Sequence, residues 1–324
     1  MRIDVHAHLV PADLPDLAAR YGDARWPTLA RDPGGTGVIR RGGAPYRPVD
    51  DRYWSPDRRL EFLDAHGIDR QVVSPLPVLL PHWAPAQAAA DSCRWQNDAL
   101  ARYVAAHPDR FSALGTVPVQ HPDAAVAALD QVVELGLAGI EIGTSAGGGE
   151  LDDDAHGQLL AAAAERGVAV LVHPLEGEGL GRMGNAVVRF GVGVLADTAI
   201  AATSLLLGGA LRRHPRPRIC LAHGGGAFFW SLPRLAGMLE RAVGPDEAAA
   251  MVAALTGVWV DTASLGPANL RYLAEVLGRD RMVLGTDFPA TADVDPLEHL
   301  AALGWHEDGD VMASNAQAFL GQPA

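Results

Sequence analysis

Along the chain, short runs of apolar and β-branched residues alternate with longer Ala/Leu-rich segments whose apolar positions recur at helical spacing. A strand covered on both faces reads as a continuous apolar run, while the helix that covers it keeps one apolar stripe, so the alternation predicts βα units around a parallel sheet. Eight strands are expected, at 2–5, 70–74, 111–117, 139–142, 169–172, 218–222, 258–261 and 282–285. Helices are expected at 56–65, 86–106, 122–135, 152–166, 198–213, 232–242 and 267–277, with a closing helix at 309–320. Ser55 before Pro56, Gly67 after His66 and Gly136 after Leu135 supply start and stop signals where this scheme needs them. Eight parallel strands with helices between them predict an α/β fold closed as a (β/α)8 TIM-type barrel.

Two connections exceed an ordinary βα loop. Residues 9–55 are rich in Pro, Gly and Arg, and Gly37-Val-Ile-Arg-Arg, Gly42-Gly43 and Tyr46-Arg47-Pro48-Val49 within them read as a small β hairpin inserted after the first strand. Residues 175–197 form the second. Both leave the C-terminal ends of strands, where a barrel builds its active site, so they are expected to act as lids on one domain spanning 1–324.

Composition narrows the chemistry. At 324 residues the chain exceeds the roughly 250 of a plain barrel by about the length of those insertions. A net charge of −13, without a dense arginine run, argues against a nucleic-acid partner and for a small-molecule ligand. The chain contains no lysine, which removes Schiff-base chemistry, pyridoxal anchoring and the lysine-type phosphate loop. Cys93 and Cys220 are too few for a disulfide framework or a thiolate zinc site, and fit a reducing compartment. The start MRIDVHAH shows no basic-then-apolar leader, and no run is read as reaching the ~18 apolar residues of a membrane helix, so no membrane association and cytoplasmic residence are expected.

Candidate ligands recur at strand ends. His6 and His8 alternate on the first strand and share a face. The fifth strand ends in His173, the sixth in His223 and the eighth in Asp287, and catalytic residues of barrels come from the ends of several strands. Together they predict a divalent-metal site. His223, followed by Gly224-Gly225-Gly226, can serve as a ligand or, as that loop favours, as a general base acting on water at the metal. A phosphate cradle at those glycines is disfavoured because no Gly-Lys-Ser/Thr follows. Glu141 falls before its strand end and is expected to face the outer helices, which favours one metal over two.

Asp4-Val5-His6-Ala7-His8, His173-Pro174, His223-Gly-Gly-Gly and Gly285-Thr286-Asp287-Phe288-Pro289, in that order, resemble the amidohydrolase superfamily and specifically its decarboxylase branch. Tyr46-Arg47-Pro48-Val49, Tyr53-Trp54-Ser55-Pro56, Pro75-Leu76-Pro77-Val78 and the stretch from His223 to Arg234 extend the resemblance over nearly the whole chain. It implies one metal, zinc or alternatively manganese, on His6, His8, His173 and Asp287, with no organic cofactor. His223 would be catalytic together with Asp287, and Arg47 would bind the substrate carboxylate. Arg234 would do so from the neighbouring subunit, so a homodimer is implied. The implied activity is non-oxidative decarboxylation of a small unsaturated or aromatic carboxylic acid, of aminocarboxymuconate-semialdehyde or hydroxybenzoate type. A metal-dependent hydrolase of an ester, lactone or C–C bond is the alternative, and the Arg47/Arg234 clamp separates the two. Leu175-Glu176-Gly177 departs from the family pattern, which leaves substrate identity open, and Glu176 could pair with a substrate group or with Arg182.

Overall fold

In a computed structural model of the chain, the described residues are 1–175, 183–208, 217–255, 257–291, 295, 297–301, 304–305 and 309–322. Strands β1 (Ile3–Leu9), β5 (Arg70–Pro75), β6 (Phe111–Gly115), β7 (Gly139–Gly143), β8 (Ala169–His173), β9 (Ile219–Leu221), β10 (Trp259–Asp261) and β11 (Met282–Val283) form one parallel sheet in that order. The sheet closes on itself. Val5 N donates to Leu284 O at 2.9 Å, Asp287 N to His6 O at 2.8 Å and His8 N to Phe288 O at 2.7 Å, joining the last strand to the first. The predicted (β/α)8 barrel is thus observed, and closure leaves no sheet edge.

Strand alternation sorts side chains between two cores. In β8, Val170 and Val172 join the apolar layer beneath the helices, whereas Ala169 and Leu171 pack with Val5, Val72, Leu114, Cys220 and Val283 along the barrel axis. His173 continues that inward series. In β1, Ile3 and Val5 are also axial, so strict alternation would send His6 and His8 outward. A register shift between Asp4 and Ala7 resolves the conflict by turning both imidazoles toward the axis. Ala316, Phe319 and Leu320 of the closing helix Gly309–Leu320 plug the N-terminal end of the axial core.

The insertion after β1 is a three-stranded antiparallel sheet of β2 (Thr28–Arg31), β3 (Thr36–Arg41) and β4 (Ala44–Asp50). The hairpin expected there is β3–β4. The extra strand, Thr28–Arg31, has no alternating pattern of its own and is defined by its pairing with β3. Ile39 and Val49 anchor the sheet to Val10, Tyr53, Leu76, Val78 and Leu79 at the barrel mouth.

Residues 175–197 are not one loop. Glu176 and Arg182 lie outside the described residues, but from 186 onward the chain is helical: Ala186–Val188, a π-helical turn at Arg189–Gly193, then Val194–Leu207. Glycines and β-branched residues hide this helix from propensity reasoning. Its span Ala186–Leu205 is 20 residues at mean hydropathy 1.5, long and apolar enough to cross a membrane by length and composition, contrary to expectation. Here it packs against helix Phe228–Val243 and walls the cavity described below. Helix Phe228–Val243 starts four residues before the expected 232, and helix Pro245–Leu255 was not anticipated.

One buried cation ties insertion to barrel. Arg59, fully buried in helix Pro56–Ala65, donates to Gln71 Oε1 at 2.7 Å, to His8 O at 2.7 Å and to Arg52 O at 3.2 Å. Gln71 Nε2 in turn donates to Asp4 Oδ2 at 2.7 Å, and Asp4 also accepts from the backbone amides of His6 and Thr286. Arg59→Ala leaves these acceptors buried and unpaired, and should cost about 3–5 kcal/mol of unfolding free energy, read as a lower urea midpoint.

Candidate active site

At the C-terminal mouth of the barrel, β1 delivers His6 and His8, β8 delivers His173, and the turns after β9 and β11 deliver His223 and Asp287. Ring centroids are 5.0 Å apart for His6 and His8, 4.8 Å for His8 and His173, and 5.2 Å for His173 and His223. One donor atom from each of His6, His173, His223 and Asp287 lies within 4.8 Å of all the others. His8 completes the group, with Nε2 3.2 Å from both His6 Nε2 and Asp287 Oδ1. All five ligand and base candidates named from the sequence therefore converge.

Local backbone makes the convergence possible. His223 and Asp287 have φ of 54° and 55°, a left-handed conformation that turns each side chain out of its strand's alternation. Gly285 provides the room beneath, because a Cβ there would lie 2.8 Å from Asp261 Cβ and 3.0 Å from His6 Cβ.

The hydrogen bonds around the imidazoles decide which nitrogens face inward. His6 Nδ1 is 2.6 Å from Asp261 Oδ2, His8 Nδ1 is 3.3 Å from Pro75 O, and His173 Nδ1 is 2.9 Å from Pro174 O. In the neutral ring each acceptor assigns the proton to Nδ1 and leaves Nε2 as a lone pair. The Nε2 atoms of His6 and His8 face each other at 3.2 Å, and His173 Nε2 is buried without a hydrogen-bond partner among the described residues. A donor set of this kind fits a divalent cation.

Electrostatics agree. Burial, reinforced by the neighbouring imidazoles, holds His173 well below its usual pKa; for His8, burial outweighs the pull of Asp287 and leaves it at about 4. Both are thus neutral ligands at pH 7. Burial also pushes His6 down, but Asp261, Asp287 and Glu141 outweigh it and raise the group to about 9, so His6 Nε2 favours a positive partner, and a divalent ion bound there would replace its proton. Burial works against the Asp287 carboxylate, yet the surrounding imidazoles of His223, His8 and His6 hold it ionised, well below the ordinary range. Three acids thus surround this point, and the ionised Asp287 carboxylate calls for positive charge there.

Two of them revise the sequence reading. Asp261 was not singled out, although β10 ends Trp259-Val260-Asp261 and the strand-end argument that found His173 and Asp287 applies to it equally. Its Oδ2 fixes the His6 tautomer, while Oδ1 accepts from Gly224 N at 3.4 Å and Ala263 N at 3.1 Å. Glu141, expected to face the helices, instead points along the axis, because the flanking Ile140 and Ile142 take the outer layer. Its Oε2 lies 3.9 Å from His8 Nδ1, and burial raises its carboxyl to about 8.

Above the cluster opens a cavity of about 540 Å3, walled by Arg47, Tyr53, Phe190, Ser264 and the exposed sides of the histidines. Arg47, on β4, stands 5.1 Å from the Phe190 ring and hydrogen-bonds the Tyr53 hydroxyl oxygen. The insertion thus delivers a guanidinium opposite the imidazoles, as expected. Arg234 is exposed on helix Phe228–Val243 and does not line this cavity in its own chain.

A closed barrel with a histidine and aspartate cluster at strand ends is an arrangement of metal-dependent hydrolases and lyases, and the amidohydrolase family model matches residues 3–321. The chain belongs to the amidohydrolase family. It is 31% identical over 332 residues to the 2-amino-3-carboxymuconate-6-semialdehyde decarboxylase of Dictyostelium discoideum, covering 99% of this chain and 92% of the relative. Among solved structures it superimposes on the apo IDCase of Metarhizium anisopliae with a TM-score of 0.82, at 22% identity over 99% of this chain and 97% of the other. It matches 5-carboxyvanillate decarboxylase from Sphingomonas paucimobilis at a TM-score of 0.78, with 22% identity and 99% of both chains covered.

Asp261→Asn keeps the size of the side chain but loses the charge that orients His6. It should weaken divalent-metal binding by about 10- to 100-fold in chelator competition, with the melting temperature showing that the barrel is retained.

Proposed function

We propose that this enzyme is a metal-dependent, non-oxidative decarboxylase of a small unsaturated or aromatic carboxylic acid that carries a neighbouring hydroxyl or amino group. The observation that carries the reading is the inward convergence of the His6, His8 and His173 lone pairs with Asp287 beneath a cavity faced by Arg47. These four residues would hold one divalent ion, with zinc the first choice and manganese the second, and no organic cofactor takes part. The decarboxylases among the chain's relatives support the same chemistry.

When bound, the ion supplies Lewis-acid polarisation of a substrate oxygen or of water. The chain's own residues do the rest. Arg47 offers a planar fork to the substrate carboxylate and offsets its charge in an acidic protein. Phe190 and Tyr53 confine a flat substrate within the cavity. Among the four imidazoles, His223 alone has Nδ1 without a partner among the described residues, and its Nε2 lies 3.7 Å from Asp287 Oδ2. Its tautomer is not locked by a backbone acceptor, which suits a residue that passes a proton. Delivery of that proton to the carbon bearing the carboxylate lets the C–C bond break, with its electrons restoring the unsaturated system as carbon dioxide leaves.

A second copy of the chain completes the proposal. Val187 and Val192 on the helical lid, and Trp230 (80% exposed) and Met238 on helix Phe228–Val243, expose apolar surface on elements that pack together. Such a patch supports an interface, and Arg234, exposed on the same helix, would reach the substrate from the neighbouring subunit. Substrates of aminocarboxymuconate-semialdehyde or hydroxybenzoate type fit this reading, as does cytoplasmic residence for a protein whose Cys93 and Cys220 are both free thiols.

Metal-loaded protein incubated with hydroxybenzoates, aminobenzoates and carboxymuconate semialdehydes should release carbon dioxide from at least one acid. His223→Ala should lower that rate by about 100-fold or more, and chelation should abolish it until metal is restored. Turnover of esters or lactones in place of any carbon dioxide release would move the assignment to a hydrolase. Trp230→Asp should shift the sedimentation coefficient from dimer toward monomer.

A further inference from the structure

Among the described residues, three non-glycine residues have positive φ: His223 at 54°, Ser264 at 59° and Asp287 at 55°. All three line the same cavity. Each lies on the turn that follows one of three adjacent strands, β9, β10 and β11. Left-handed backbone is unfavourable for a residue with a Cβ, and it persists where the surrounding structure imposes it, most often at functional sites. Two of the three already have roles in the reading above. Ser264 has none.

The turn that carries Ser264 is held from both sides. Asp261 Oδ1 accepts from Ala263 N at 3.1 Å, Ala263 itself is buried, and Leu265 packs so closely on Gly224 that a Cβ at Gly224 would collide with it. Asp261 therefore sets three groups at once: the His6 imidazole, the amide next to His223, and the turn before Ser264. Between these anchors Ser264 is the residue presented to the cavity, and its hydroxyl has no hydrogen-bond partner among the described residues. A serine hydroxyl both donates and accepts, so it recognises a hydroxyl or an amino group equally well. Glycine would adopt the same backbone without strain, so the turn by itself gives no reason for a serine.

We infer that Ser264 is a specificity-determining residue whose hydroxyl pairs with the hydroxyl or amino substituent of the bound acid while Arg47 takes its carboxylate. The inference rests on the acid-binding reading of the cavity and deepens it. A site built to pair a substrate hydroxyl discriminates against the analogue that lacks one, so the residue separates substituted from unsubstituted acids.

The test measures binding of 2-hydroxybenzoate, 2-aminobenzoate and benzoate to the metal-loaded enzyme by calorimetry, in the natural protein and in Ser264→Gly. The natural protein should prefer one of the substituted acids over benzoate. Ser264→Gly should lose roughly five- to tenfold of affinity for that acid, the size of one net hydrogen bond, with benzoate binding unchanged and a melting temperature at or above that of the natural protein. An undiminished preference in Ser264→Gly would overturn the inference, since a serine that only supports the turn predicts that result. So would equal binding of all three acids, or binding of none, by the natural protein. A Ser264-dependent preference in a protein that releases no carbon dioxide sustains the inference and removes the decarboxylase reading alone.

Discussion

The seam between the first and last barrel strands is the constraint on which the site depends. His6 and His8 enter at the start of the chain and Asp287 near its end, and they meet because Asp287 N bonds His6 O and His8 N bonds Phe288 O across that seam. Behind the seam, Asp4 accepts from the amides of His6 and Thr286 and from the Thr286 hydroxyl, so a single buried carboxylate sets the height of both strand ends. An open sheet would leave the aspartate without the histidines. The metal centre is in this sense a product of barrel closure, and the hydrophobic axial core that drives closure also positions the chemistry.

From that seam outward, the site is built in layers of increasing adaptability. The imidazoles are fixed by Asp261 and by the carbonyls of Pro75 and Pro174, which belong to strand ends or the residue beside them. Arg59 then carries the same rigidity into the insertion, since it bonds both His8 O and Arg52 O and so sets the sheet that bears Arg47 relative to the strand that bears the ligands. Outermost, the π-turn with Phe190 and the Ser264 turn face the substrate side of the cavity. The centre sits at strand ends and the turns locked to them, while the outer loops face the substrate, a division that lets related barrels change substrate without rebuilding the centre.

The lid helix serves two surfaces at once. Phe190, Gly191, Val194 and Leu195 close the cavity, whereas Val187, Val188 and Val192 are turned outward. An element apolar nearly all round is stable only if both faces are covered. The barrel mouth covers one, and a second copy of the chain is the proposed cover for the other. That double duty would account for its membrane-like composition.

The sequence alone determined the barrel, its strand order and the five residues at its centre, because apolar runs ending in His or Asp are local patterns and parallel βα topology admits few arrangements. It also located Arg47 on an inserted hairpin. What it could not determine depended on contacts between distant residues. The register shift that turns His6 and His8 inward arises from pairing with β5. The inward face of Glu141 follows from which neighbours its isoleucines pack against. The helix within 175–197 exists because an apolar face finds the barrel mouth, and Asp261 matters because His6, far away in sequence, comes to rest against it. Periodicity records what a segment can bury, and only the closed fold decides against what it is buried.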